Sequence, residues 1–171
     1  MNGRLIVFEG TDGSGKATQS RLLCEHLQRE SIPYKNITFP RYGKPSAAMV
    51  QEYLDGNLGR RPGDVNAYAA SLMFSMDRYA SYKQDWGAFY EAGGLVIADR
   101  YTTSNAVHQA SKLLPGERKG FLEWLFDLEY GKLGDFMDQE VADSLTEIAT
   151  AVNATKNAEF TLVFDPTLVR G

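Results

Sequence analysis

Four short segments of the chain have the apolar, β-rich composition of strands buried inside a sheet. Residues 4–9, 34–39 and 95–98 are each followed by a glycine, a proline or a charged residue, and such residues often end a strand. Residues 160–164 repeat the pattern and end at Asp165 and Pro166. The sequence therefore predicts four strands spread over the whole chain.

Between these strands, apolar side chains recur at helical spacing. Leu22, Leu23 and Leu27 predict a helix after the first strand, and residues 66–92 contain no proline and a single glycine. The predicted helices are residues 16–30, 46–54, 66–92, 104–112, 118–132 and 137–156. Alternating strands and helices predict an α/β fold in which helices surround a parallel sheet in three layers.

The composition is that of a soluble domain. The chain has 171 residues, 43% of them hydrophobic and 23% charged, and a net charge of −4, so we predict one domain over residues 1–171. Without a basic field we expect no binding to a nucleic acid polymer or a membrane surface, and the apolar runs are too short to cross a bilayer. The single cysteine excludes an internal disulfide, and no signal-peptide pattern opens the chain, so we expect a cytoplasmic protein.

The glycine-rich segment after the first strand is the clearest chemical signal. Residues 10–16 match the first seven positions of the phosphate-binding pattern G-x-x-x-x-G-K-[ST], between a predicted strand and a predicted helix. Backbone N–H groups and the positive end of the helix suit a polyphosphate, and Lys16 adds a point charge. The alternative is a chance glycine-rich turn. The predicted ATP-binding residues are Gly10, Thr11, Asp12, Gly13, Ser14, Gly15, Lys16, Ala17 and Thr18.

The last position of this pattern is unusual. A serine or threonine there would bind Mg²⁺ through its hydroxyl, but Ala17 has no oxygen, and Thr18 is turned about 100° around the helix. We therefore expect phosphate oxygens and waters to hold Mg²⁺. Asp99 ends the third strand, where it is placed to orient a metal-bound water, although a structural salt bridge is the alternative.

Arginine and aromatic side chains follow the strands at the same rim of the predicted sheet. Arg100 comes after the third strand, and Phe39 and Arg41 lie at the end of the second. The planar fork of an arginine suits a phosphate. Phe74 and Arg78 share one face of the long helix, an arrangement suited to a flat base with carbonyl oxygens. The structural alternatives are a salt bridge for Arg100, a core position for Phe74 and a carboxylate partner for Arg78.

These segments together resemble the thymidylate kinases, a family of nucleoside monophosphate kinases with a phosphate loop. The resemblance covers about residues 3–132. It rests on F-E-G-T-D-G-S-G-K-A-T-Q (8–19), F-P-R-Y (39–42), F-S-M-D-R-Y (74–79) and D-R-Y-T-T-S-N-A-V-H-Q (99–109). It implies the P-loop NTPase fold, transfer of the ATP γ-phosphate to dTMP with Mg²⁺, and a homodimer.

The resemblance also implies roles for the matched residues. Lys16, Arg41, Arg100 and Asp99 would form the catalytic set, with both arginines on the acceptor 5′-phosphate. The other residues implied to bind dTMP are Asp12, Phe39, Phe74, Arg78, Ser104, Asn105, His108 and Gln109.

Within that dTMP site, Asp12 would contact the sugar 3′-hydroxyl, Phe74 would stack on thymine and Arg78 would donate to a thymine carbonyl. The remaining polar residues would line the base and sugar pocket. His108 stands where family members often have a tyrosine that crowds a ribose 2′-hydroxyl, so the resemblance implies weaker discrimination against ribonucleotides.

The chain departs from the family pattern after residue 132. Family members continue with a fourth strand and an arginine-rich lid, but here only Lys156 and Arg170 are basic beyond Lys132. Either the protein lacks a lid, or the sequence omits a stretch near residues 134–135 with the numbering closed over it. We favour omission, because lids are mobile by function. The alternative functions are a kinase of another nucleoside or nucleotide, and a nucleotide-binding protein without turnover.

Overall fold

A single sheet of four strands forms the centre of the fold. The computed structural model describes residues 3–10, 13–61 and 63–134, together with the backbone of a strand at 162–164. The strands are β1 (Arg4–Glu9), β2 (Tyr34–Thr38), β3 (Leu95–Asp99) and β4 (Leu162–Phe164), in the order β2-β3-β1-β4. β1 and β2 both run parallel to β3, and helical segments connect them, which confirms the predicted α/β fold.

The fourth strand runs in the opposite direction. β4 pairs antiparallel with β1, with Val7 beside Phe164 and Glu9 beside Leu162. The sequence predicts a strand here but not its direction, because a short apolar run has the same pattern in either orientation. Residues 160 and 161 of the predicted strand lie outside the described residues.

Six α-helices occur in the described part of the chain. They are α1 (Lys16–Arg29), α2 (Ala48–Leu54), α3 (Ala67–Ser81), α4 (Gly87–Glu91), α5 (Thr102–Ala110) and α6 (Pro115–Phe126), and a 3₁₀ turn at Pro45–Ala47 precedes α2. α5 and α6 begin two and three residues before their predicted starts. In α6 a proline in the first turn and the Glu117 carboxylate, which accepts from the Leu114 N–H at 3.1 Å, set the earlier start. The predicted helix at 137–156 lies outside the described residues.

The predicted helix over residues 66–92 is a helical run with one wider turn inside it. A π-helical turn at Tyr82–Trp86 joins α3 to α4, and the Gly87 N–H donates to the Tyr82 carbonyl five residues earlier. A Cβ at Gly87 would lie 2.6 Å from that carbonyl oxygen, so the turn depends on glycine. A second π turn, Asp127–Lys132, follows α6.

The chain divides into two compact units. Among described residues, the first contains 3–39, 81–101 and β4, and the second contains 40–80 and 102–134. In the first unit Phe8, Cys24 and Ile97 belong to a buried cluster between α1 and the sheet. In the second unit Phe121 and Leu125 of α6 are fully buried. The single domain over residues 1–171 stays a prediction.

Within the described residues, no helix has both the length and the apolar composition needed to cross a membrane.

Candidate active site

The phosphate loop in the first unit has the backbone conformation that its glycines predict. Gly13 and Gly15 have φ angles of +85° and +89°, in the left-handed region that side chains rarely adopt. Gly15 caps α1, and its carbonyl accepts from the Gln19 N–H at 2.9 Å. Lys16 opens the helix and is buried. The loop therefore leads directly into a helix N-terminus, as an anion site requires.

The remaining residues of the loop differ in exposure. Ala17 and Thr18 are exposed on the first turn of α1, and Ser14 is half-buried. Thr11 and Asp12 lie outside the described residues, so their predicted contacts with ATP and the sugar stay predictions.

The turn after β3 holds Arg100 in an unusual conformation. Its φ is +67°, which is left-handed and uncommon for a residue with a Cβ. The Arg100 N–H donates to the Phe8 carbonyl at 3.0 Å, and the next N–H, of Tyr101, donates to the Glu9 carboxylate at 2.9 Å. Two hydrogen bonds from β1 therefore support this conformation.

Glu9 is a functional candidate that the sequence analysis missed. Its buried carboxylate stands immediately before the phosphate loop and binds the turn after β3. The available signal was an acidic residue at the end of an otherwise apolar strand. Phe39 is also buried at this end of the sheet, where its ring meets Tyr101 edge-to-face at 5.6 Å.

Asp99 has a carboxylate oxygen that fits a ligand role. Oδ1 is buried and has no hydrogen-bond partner among the described residues. The side chain lines a cavity of about 240 Å³ together with Ala17 and Cys24.

Burial raises the pKa of the Cys24 thiol, and hydrogen bonds with Tyr34 and Ser20 partly oppose that rise.

These residues permit a metal held mainly by water. In the described part of the chain, no three His, Cys, Asp or Glu side chains cluster as metal ligands. A buried carboxylate oxygen that lacks a partner can still accept from a metal-bound water. Asp99 therefore fits the indirect role predicted for it, while Ala17 supplies no oxygen.

In the second unit, Arg41 is bound by a buried carboxylate on α3. The Arg41 N–H donates to Asp77 Oδ2 at 2.8 Å, and the Arg41 Nε lies 3.5 Å from Oδ1. The Ser46 hydroxyl donates to Oδ1 at 2.5 Å and accepts from Arg41 Nη2 at 3.1 Å. Arg41 is thus held by both its backbone and its side chain.

Arg78 is enclosed in a second cluster of this unit. It donates through Nε to Glu129 Oε2 at 2.8 Å and through Nη2 to Oε1. The hydroxyls of Ser75 and Thr102 each lie 2.7 Å from the same carboxylate. The carboxylate partner considered from the sequence is therefore present, and it is buried rather than exposed to solvent. The sequence around Glu129 did not identify it as the partner of Arg78.

Phe74 lies half-buried on the same helix as Arg78. Its ring meets Tyr53 edge-to-face at 6.0 Å, and the Tyr53 hydroxyl accepts from Lys112 Nζ at 2.6 Å. These contacts constrain its immediate surroundings, although its predicted stacking on a base stays a prediction.

The predicted polar residues of α5 include two buried amides. Asn105 and Gln109 lie one turn apart and are buried. Both polar atoms of the Asn105 amide, and Oε1 of Gln109, have no hydrogen-bond partner within the described part of the chain. Because buried amides are normally hydrogen-bonded, these atoms are candidates to bind a polar ligand. Ser104 is half-buried and His108 is exposed.

The predicted residues therefore fall into two groups. The first unit holds the described part of the phosphate loop with Phe39, Asp99 and Arg100. The second unit holds Arg41, Phe74, Arg78, Ser104, Asn105, His108 and Gln109.

Comparisons with known proteins point to one family. The model of a family described as thymidylate kinase matches residues 8–117, which include all four motifs. A thymidylate kinase of Mycobacterium tuberculosis is 33% identical over 137 residues, covering 76% of this chain and 60% of that protein. One from Symbiobacterium thermophilum is 35% identical over 104 residues, covering 61% and 47%. The chain spans about half to three fifths of these relatives' length.

A solved structure shares the fold. The thymidylate kinase of Candida albicans superposes with a TM-score of 0.60 at 22% identity, covering 88% of this chain and 77% of that one.

Proposed function

The chain belongs to the thymidylate kinase family, and on that premise we propose that it transfers the γ-phosphate of ATP to dTMP, giving ADP and dTDP. The observation that carries the proposal is the phosphate loop, where left-handed glycines lead into the helix that Lys16 opens. The Asn105 amide and Oε1 of Gln109, which have no hydrogen-bond partner among the described residues, add support for a polar small-molecule site.

The proposed chemistry needs charge neutralisation and alignment. The second pKa of a phosphate monoester is about 6, so dTMP is largely a dianion at neutral pH and needs no general base. Lys16 and the loop bind the donor phosphates, and Arg41 and Arg100 hold the acceptor phosphate. Asp99 would hold Mg²⁺ through a bound water, and the ion would supply further neutralisation of the donor phosphates.

The proposed nucleoside contacts use the second group of residues. Phe74 stacks on thymine, and Arg78, oriented by Glu129, donates to a carbonyl of the base. Ser104, Asn105 and Gln109 line the pocket with His108, while Phe39 and Asp12 complete the acceptor side. Replacing His108 by Tyr would test the pocket: we expect the larger ring to strengthen discrimination against ribonucleotides.

We also propose a cytoplasmic homodimer. Tyr68, Leu72 and Met76 follow one another at four-residue spacing on α3, and each exposes more than two fifths of its surface. Such an apolar stripe on a helix suits a second copy of the chain. Light scattering that gives the monomer mass at micromolar concentration would overturn the dimer.

A substrate panel tests the activity. We expect coupled assays of ADP release to show preference for dTMP over dUMP, dCMP, dGMP and dAMP, and Lys16→Ala to abolish turnover while leaving the fold intact. Faster turnover of a purine monophosphate would contradict the proposal.

Calorimetry that shows ATP binding without transfer to any monophosphate would favour the non-catalytic alternative, which Ala17 supports. An intact mass clearly above 19.0 kDa would establish a missing segment.

A further inference from the structure

Asp77 is a buried carboxylate that the proposed reaction has not yet used. It lies on α3 and exposes 1% of its side chain. The contacts described above are with two residues: Asp77 contacts the backbone and guanidinium of Arg41, and it accepts from the hydroxyl of Ser46. A carboxylate this enclosed requires compensation by a positive charge or by hydrogen-bond donors. Here the positively charged partner is Arg41, a residue of the proposed acceptor site.

We propose that Asp77 is a positioning residue, which orients Arg41 toward the acceptor phosphate of dTMP. The inference rests on the proposed function, because it assigns Asp77 a task within that reaction. Asp77 does not itself touch the reacting atoms and acts through the arginine.

The geometry of the cluster supports this role. Asp77 accepts a hydrogen bond from the Arg41 N–H, and its Oδ1 lies 3.5 Å from the Arg41 Nε, which is an ion-pair contact without a hydrogen bond. Ser46 completes the arrangement, because its hydroxyl donates to Asp77 and accepts from Nη2. The hydrogen bond at Nη2 and the charge of Asp77 beside Nε restrict the plane of the guanidinium, and a defined plane is what two-point contact with a phosphate needs.

Charge and orientation make opposite predictions for this site. A negative carboxylate near the acceptor phosphate repels a dianion, so by charge alone its neutralisation would tighten dTMP binding. If Asp77 acts by orienting Arg41, the same neutralisation weakens dTMP binding, because the guanidinium loses its alignment. The sign of the change in KM therefore separates the two effects.

Steady-state kinetics of Asp77→Asn provide the main test, with Asp127→Asn as a matched control. Asp127 is a carboxylate of the same unit that pairs with Lys132 at the surface. For Asp77→Asn we expect the KM for dTMP to rise about 10-fold, with the KM for ATP within about twofold of the wild type. The control should change neither constant. An unchanged or lowered KM for dTMP in Asp77→Asn would overturn the proposal.

A double-variant cycle tests whether Asp77 acts through Arg41. In an Arg41→Ala background, adding Asp77→Asn should not raise the KM for dTMP further, and it should raise the melting temperature, because it removes an unpaired buried charge. Independent, multiplying effects on the KM would overturn the proposal.

Two further measurements keep the outcome readable. If Asp77→Asn does not fold, Ser46→Ala carries the test, since it removes the bridge between Asp77 and Nη2. We expect Ser46→Ala to raise the KM for dTMP about threefold, and an unchanged KM would overturn the proposal. A wild-type protein that neither phosphorylates dTMP nor binds it in calorimetry would instead overturn the proposed function.

Discussion

Two buried carboxylates in the second unit each bind an arginine, but they enclose it to different degrees. Glu129 is fully buried and Arg78 exposes 1% of its side chain, whereas Arg41 exposes 11% beside Asp77. Glu129 occupies two nitrogens of its arginine and also contacts hydroxyls on α3 and α5. Asp77 divides its contacts between the backbone of Arg41, its guanidinium and Ser46.

This difference in exposure predicts how strongly each cluster contributes to stability. A fully enclosed ion pair is costly to break, because the remaining charge has neither a partner nor water. An arginine that keeps some exposed surface can meet a ligand while its carboxylate holds it. We therefore expect changes in the Glu129 cluster to lower stability strongly, in addition to any effect on base binding through Arg78, and changes in the Asp77 cluster to act mainly on the KM for dTMP.

The largest expected effect is in the enclosed pair. Glu129→Ala should lower the free energy of unfolding by about 3–5 kcal/mol, because it leaves the Arg78 guanidinium buried without its carboxylate. Urea denaturation measures the change. Asp127→Ala, which removes a carboxylate from an exposed pair with Lys132, should cost at most about 1 kcal/mol. Equal losses in the two variants would mean that burial does not make the Glu129–Arg78 pair more costly to break than an exposed pair.

Arg41→Lys should affect the reaction more than the fold. Lysine keeps a positive charge opposite Asp77, so the free energy of unfolding should fall by less than it does in Glu129→Ala. It lacks the planar fork, and kcat/KM for dTMP should fall about 10- to 100-fold. Steady-state kinetics measure the change in kcat/KM, and urea denaturation measures the change in the free energy of unfolding. A large loss of stability with normal kinetics would assign Arg41 to the fold instead.

The serines offer a finer comparison. Ser75→Ala removes a buried hydroxyl beside Glu129 and should lower the free energy of unfolding by about 1 kcal/mol. Ser46→Ala should change stability less, because its cluster is less enclosed. Thermal melts of the two variants, measured at one pH and salt concentration, test this order, and the reverse order would count against it.

The smallest effect is expected at an ion pair in the first unit. Arg21 and Glu25 pair at 2.6 Å on α1, but their side chains expose 61% and 49% of their surface. Arg21→Ala should lower the free energy of unfolding by at most about 0.5 kcal/mol, and the difference should shrink in 1 M salt. A loss of stability comparable with that of Glu129→Ala would mean that burial does not determine how much an ion pair contributes to the free energy of unfolding.

The sequence predicted the features that depend on local pattern. The parallel strands follow from short apolar runs, and the phosphate loop follows from the spacing of glycine and lysine around a strand end. The π turn at Tyr82–Trp86 was not predicted, because the apolar spacing of residues 66–92 also suits an uninterrupted helix. The glycine at position 87 was a sign of the turn in the sequence.

The carboxylates that hold the arginines could not be predicted in the same way. Asp77 binds a backbone N–H 36 residues away, and Glu129 binds an arginine 51 residues away. Asp77 lies within a quoted motif, but its pairing with Arg41 could not be deduced from that motif, and both acids gain their partners only when distant segments of the chain pack together. The direction of β4 is tertiary information of the same kind.

The left-handed backbone of Arg100 has a consequence for how this protein would respond to selection. A residue with a Cβ loses about 1–2 kcal/mol in this conformation, so glycine or asparagine would relax the turn. Screens for heat resistance alone should therefore enrich replacements at this position, whereas screens in which growth also depends on the proposed reaction should retain arginine. Frequencies at position 100 in two such libraries would measure how far catalysis and thermal endurance oppose each other at one residue.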